Sequence, residues 1–119
     1  MNSTAEELYH AGCNLSDTEW DSSIRDELVA TGDAVWLHEA GENWPDARYT
    51  VAIRDALINT GDALWLCRAG CFWPDGRYTE EIGWAFGKTG HEEYIALALS
   101  GPKPWAEERR KDIRGIQKS

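Results

Sequence analysis

The sequence predicts an all-α domain: a short stack of about three 29-residue helix-turn-helix repeats, with a half-repeat N-terminal cap and a C-terminal capping helix. Three observations predict it. Residues 49–77 repeat residues 20–48 without a gap, with 16 identities in 29 positions. Glycines recur at the same interval, as Gly12, Gly41 and Gly70, each after an Ala, and as Gly32, Gly61 and Gly90, each after a Thr. Apolar side chains recur with them: Leu8, Leu37, Leu66 and Ile95; Ile24, Ile53 and Ile82; Leu28, Leu57 and Phe86. Helix pairs this short cannot bury such faces alone, so neighbouring units must share one core.

The elements follow in order. Residues 1–19 form the N-terminal cap, because "TAEELYHAG" aligns with the second helix of later units and places Glu6 and Glu7 where Val35 and Trp36 stand. Repeat 20–48 starts a helix over 21–31 from the N-cap Asp21; Gly32 closes it, Asp33 caps a second helix over 33–40, and Gly41 closes that. Repeat 49–77 uses Thr50, Gly61, Asp62 and Gly70 in the same roles, with helices over 50–60 and 62–69. Residues 78–102 continue with Thr79, a helix over 79–89, Gly90, His91 as a cap, and a helix over 91–100. In the basic segment 103–119, Pro104 suits the first turn of a last helix on which Trp105, Ile113 and Ile116 share a face. The brief runs "AVWL", "ALWL" and "YIALAL" also have the length of strands; their Ala-rich surroundings and Gly closures favour helix.

Composition fits one folded domain: 42% of its 119 residues are hydrophobic and seven are Trp, a large apolar area for small units to pack with. No basic start precedes an apolar stretch, and no run of about 18 apolar residues occurs, so neither a signal peptide nor a membrane span is expected. Three cysteines argue against a closed disulfide framework, and a reducing, cytoplasmic setting is expected. The net charge of −9 divides into −12 over residues 1–102 and +3 over 103–119. Such a body repels nucleic acid and anionic membrane and steers toward basic partners.

The most distinctive motif is "WPD.RYT" at 44–50 and 73–79. Retention in both units favours a role in stacking: the prolines stiffen the turn, Trp44 and Trp73 plug gaps, and Asp46/Arg48 or Asp75/Arg77 satisfy the turn or pair. Function is better sought where the units disagree. His38 becomes Cys67, Glu39 becomes Arg68, Glu42 becomes Cys71 and Asn43 becomes Phe72, at a helix end expected to face solvent. Cys67 and Cys71, with Cys13 and His10 or His38, do not make a convincing metal site, since there is no Cys-x-x-Cys pair and Gly70 is expected to end the helix between them. His10, His38 and His91 fall in different units, and no nucleophile elbow, phosphate loop or paired-histidine motif is present. No catalytic residue, metal or cofactor is therefore assigned.

In architecture the chain resembles helix-pair solenoids, and in size, charge and lack of catalytic motifs it resembles small phage-encoded inhibitors of host defence, including anti-CRISPR and anti-restriction proteins. That resemblance implies a non-enzymatic inhibitor whose acidic surface occupies a basic, nucleic-acid-binding face of a host complex, without binding DNA itself. Glu39, Glu42, Asp46, Asp75, Glu80, Glu81, Glu92 and Glu93 are the expected contacts, joined by Arg68 and Phe72 at the variable helix end. A general adaptor that captures partners through exposed aromatics such as Phe72 and Trp84 is the alternative; a metal- or thiol-dependent enzyme is a more distant one.

Overall fold

The computed structural model describes residues 4–115 and is all-helical: among them there is no strand. The helices are α1 (Ala5–Asn14), α2 (Ser22–Thr31), α3 (Ala34–Asn43), α4 (Val51–Thr60), α5 (Ala63–Phe72), α6 (Glu80–Lys88), α7 (Glu92–Ser100) and α8 (Glu107–Gly115). "AVWL" and "ALWL" lie in α3 and α5, so the strand alternative is excluded. Odd helices pack on the next odd helix, even on the next even, and α8 packs closely on α6, giving an elongated body of 45 × 27 × 24 Å.

The shared core is the one expected from the repeated apolar positions. Leu8, Leu37 and Leu66 are buried, as are Ile53 and Ile82 and the ladder Leu28, Leu57 and Phe86. At the ends of these rows Ile24 and Ile95 are half-buried, as terminal positions of a stack must be.

Helix ends depart from expectation in instructive ways. Gly32, Gly61 and Gly90 do adopt the left-handed conformation, with φ of 66°, 67° and 66°, where a Cβ would be strained. Gly41 and Gly70 close nothing: α3 and α5 run through them to Asn43 and Phe72. Their role is close approach. A β-carbon at Gly12, Gly41 or Gly70 would fall inside the indole of Trp44, Trp73 or Trp105, each belonging to a later helix pair. The caps divide too. Asp21, Asp33 and Asp62 accept from first-turn amides, and Thr4 forms a capping box with Glu7. Thr50 and Thr79 stand at the N-cap positions without a side-chain capping bond, and so does His91, whose ring stacks on Tyr94 at 4.2 Å.

The Trp turns carry the stacking. Trp44 Nε1 donates to the Tyr9 carbonyl at 3.0 Å, Trp73 Nε1 to that of His38 at 3.1 Å, and Trp105 Nε1 to that of Cys67 at 2.9 Å. Four residues after each Trp comes a buried arginine, Arg48, Arg77 or Arg109. Arg48 donates to the carbonyls of Gly12 (2.9 Å) and Leu15 (2.5 Å), Arg77 to those of Gly41 (3.0 Å) and Trp44, and Arg109 to that of Gly70 (2.9 Å). The ion pairs also reach backward: Arg48 to Asp17 (3.2 Å), Arg77 to Asp46 (2.8 Å) and Arg109 to Asp75 (2.5 Å). Asp46 thus serves the next turn's Arg77 rather than its own Arg48.

The last turn lies elsewhere than the sequence predicts, since α8 begins at Glu107 rather than at Pro104. Trp105 precedes α8 instead of riding on it, and Trp105 and Arg109 repeat the Trp44/Arg48 and Trp73/Arg77 roles after three added residues. Trp105 and Ile113 are buried, as expected of a docked capping helix; Ile116 lies outside the described residues.

Two alanine substitutions separate close approach from slack. Gly41→Ala must displace Trp73 and is expected to lower the free energy of unfolding by about 2 kcal/mol or more. Gly76→Ala, at the position where the preceding unit carries Ala47, meets nothing within 4 Å and should stay within about 0.5 kcal/mol of wild type. Urea unfolding of both checks the contrast, and equal stabilities would refute the packing role of Gly41.

Candidate functional site

The variable positions lie on the C-terminal halves of α3 and α5. Because α5 continues through Gly70, Cys67 and Cys71 share one helix face a turn apart. The expectation that these positions face solvent fails for two of them: His38 is 2% exposed, and Cys67 is also buried. Both sit where odd helices stack, so the 38/67 position belongs to the core. Arg68 and Phe72 do face out, Phe72 with 48% exposure and Arg68 with its guanidinium 5.1 Å over the Trp65 ring.

His38 is the chemically unusual residue. Its ring is 5.3 Å from that of Trp65 and 6.4 Å from that of Trp73. Nδ1 lies 3.4 Å from Glu39 Oε1 and Nε2 3.7 Å from Glu42 Oε1, yet both nitrogens are buried without a hydrogen-bond partner. Leaving such an atom unsatisfied costs roughly 1–3 kcal/mol. Burial pushes the imidazole pKa below its usual value, against the opposing pull of Glu39 and Glu42, so the ring is neutral at pH 7. One ligand atom from each of His38, Glu39 and Glu42 can be chosen so that all lie within 4.8 Å of one another. The helical spacing His38-x-x-x-Glu42 aligns imidazole and carboxylate, a signal carried by the sequence itself.

Cys71 is half-buried, with its thiol 3.6 Å from the Lys103 carbonyl. Its neighbour Cys67 is the main influence drawing it down to about 7, with Arg109 and Arg68 adding to the effect against burial. Cys67 is driven up, first by that same neighbour and then by burial.

The remaining expected contacts are dispersed. Glu39 and Glu42, a third exposed, turn toward His38. Asp46 and Asp75 are fully exposed but engaged with Arg77 and Arg109. Glu80 and Glu81 open α6, where their charge favours the helix N-terminus; Glu81 is 3.9 Å from Arg54 and held below the usual carboxylate range, mainly by the Thr79 hydroxyl and its own amide. Glu92 and Glu93 open α7, exposed in the same setting. A groove of about 440 Å³ between α4 and α6 is lined by Ile58, Trp84, Ala85 and Lys88.

The chain matches no protein-family model, no curated protein and no solved structure.

The two α5 thiols should behave oppositely. In a Cys13→Ser background at pH 7.5, iodoacetamide is expected to alkylate Cys71 readily and leave native Cys67 unmodified by mass spectrometry. The Cys71 rate should rise with a midpoint of about 7. Arg68→Ala, at an exposed position, should move that midpoint upward; an unchanged midpoint would contradict the assigned influence of the guanidinium.

Proposed function

We propose that this protein works by binding, as an inhibitor whose acidic exterior covers the basic, nucleic-acid-binding surface of a host defence complex. The observation that supports this reading is where the positive charge goes. Arg48, Arg77 and Arg109 are buried and directed at carbonyls, and each is matched by one aspartate. These matched pairs cancel, so the net −9 is carried by the other charged groups. Glu80, Glu81, Glu92 and Glu93 are exposed among them, and Asp46 and Asp75 present outward oxygens even while paired. Carboxylates on a rigid frame can stand in for phosphates before Lys/Arg clusters, which take them by charge-assisted hydrogen bonds.

A second reading is favoured by exposed apolar surface. Phe72 is 48% and Trp84 36% exposed, and aromatic side chains of this size are the usual anchors of an adaptor surface.

The readings separate on salt and on aromatic truncation. For the inhibitor, a partner captured on immobilised protein should be released as ionic strength rises from roughly 0.05 to 0.3 M, over which charge screening tightens strongly. The quadruple variant Glu80→Gln/Glu81→Gln/Glu92→Gln/Glu93→Gln should bind the captured partner at least tenfold more weakly, and wild-type protein should displace nucleic acid from it. Salt-indifferent binding lost on Phe72→Ala, with unchanged melting, would replace the inhibitor reading with the adaptor one.

A further inference from the structure

We propose that His38, Glu39 and Glu42 of α3 form a binding site for a divalent transition-metal cation of the Zn²⁺ class. The inference is independent of the partner-binding reading above.

Three observations carry it. The first is geometric: the three side chains offer ligand atoms within 4.8 Å of one another. Two ligands bonded to zinc at about 2.0–2.1 Å in a tetrahedral arrangement stand roughly 3.3 Å apart. The His38 Nδ1–Glu39 Oε1 and His38 Nε2–Glu42 Oε1 separations of 3.4 and 3.7 Å lie at different ring nitrogens, so an ion on either nitrogen finds one carboxylate at close to the spacing it requires.

The second is the imidazole itself. Its side chain is 3% exposed, and neither nitrogen has a hydrogen-bond partner. A neutral imidazole has one N–H and one lone pair. With a carboxylate beside each nitrogen, one carboxylate must face the lone pair, an electrostatically unfavourable contact in either tautomer. A cation on that nitrogen converts the contact into two metal–ligand bonds, and the remaining N–H then donates toward the other carboxylate, the usual way a ligating histidine is oriented.

The third is access and chemistry. Glu39 and Glu42 are about one-third exposed, at 33% and 34%, so an ion reaches the buried nitrogen from their side. A donor set of one imidazole and one carboxylate, with the second carboxylate holding the other ring N–H, suits borderline divalent ions of the first transition row and discriminates against Mg²⁺, which favours all-oxygen, strongly hydrated sites. The site is also particular to α3. The aligned positions hold Tyr9, His10 and Cys13 in α1, Cys67, Arg68 and Cys71 in α5, and Ala96, Leu97 and Ser100 in α7.

Calorimetric titration of the full chain with ZnCl₂ at pH 7.5, under reducing conditions, tests the proposal. One ion per chain is expected, with Mg²⁺ giving no heat at the same concentration. Glu39→Gln and Glu42→Gln, both at partly exposed positions, should each weaken binding at least tenfold while circular dichroism and the metal-free melting temperature stay unchanged. His38→Gln should abolish it. Co²⁺ added instead should give a ligand-field spectrum without a thiolate charge-transfer band, and quench the tryptophan emission of Trp65 and Trp73. Absence of Zn²⁺ binding below 100 µM, full retention of binding in Glu39→Gln/Glu42→Gln, or a thiolate band showing the metal on Cys67 and Cys71 would each overturn the assignment.

Discussion

The structure depends on an arginine that works for a helix to which it does not belong. A helix ends with carbonyls lacking intrahelical donors and with the negative end of its dipole, and a basic residue in the last turn usually relieves both. In α1, α3 and α5 the last turn contains no basic residue. The donor arrives from the following Trp turn instead, as Arg48, Arg77 and Arg109. Their aspartate partners are essentially fully exposed, where a single ion pair contributes little. The carbonyl bonds and the aromatic faces of Trp20, Tyr49 and Tyr78, 4.9, 4.6 and 4.3 Å from the three guanidinium carbons, are what offset the cost of burying the charge. Removing one such arginine would strand buried carbonyls and open the joint, a loss of roughly 2–4 kcal/mol by the usual cost of unsatisfied groups.

Tryptophan and glycine complete the joint. Each indole occupies the room that a glycine in the preceding odd helix leaves, and its N–H reaches a carbonyl three residues before that glycine. Ring, donor and guanidinium therefore engage one helix end together, and none could be satisfied within its own helix pair. Stacking is in this sense obligatory: an isolated pair would expose both the indole and the orphan carbonyls.

This division explains what could be read from residues alone. The helices, the Gly32, Gly61 and Gly90 closures and the core ladders were legible because period and left-handed glycine chemistry are local signals. The roles of Gly41 and Gly70 were not, since a glycine kept for a neighbour's ring looks the same in sequence as one kept for its own φ. The Asp46–Arg77 pairing was hidden likewise, because the motif places Asp46 beside Arg48 and only stacking selects the later arginine. The Trp105–Arg109 joint was obscured by three extra residues, although the four-residue spacing from Trp to Arg was visible. At the variable positions, exposure does not follow from difference between units: His38 and Cys67 vary inside the core.

A repeat can acquire function at a position that its frame leaves free. The joint fixes the frame with Trp, Arg and Gly at invariant places, and leaves the 38/67 position between stacked odd helices free of structural duty beyond filling space. Cysteine there, as in α5, is a small apolar filler with a weak donor and is ordinary in a core. Histidine is not: it is larger, polar on two edges, and here flanked by carboxylates that neither hydrogen-bond it nor lie far enough away to be irrelevant. A core that needed only volume at this position had apolar choices of similar size without the desolvation cost. Trp65 and Trp73 pack against the imidazole, with ring centroids 5.3 and 6.4 Å away, and so fix its place beside Glu39 and Glu42. A preset geometry of this kind is the condition under which a small set of donors gains affinity, since little ordering remains to be done when a ligand arrives.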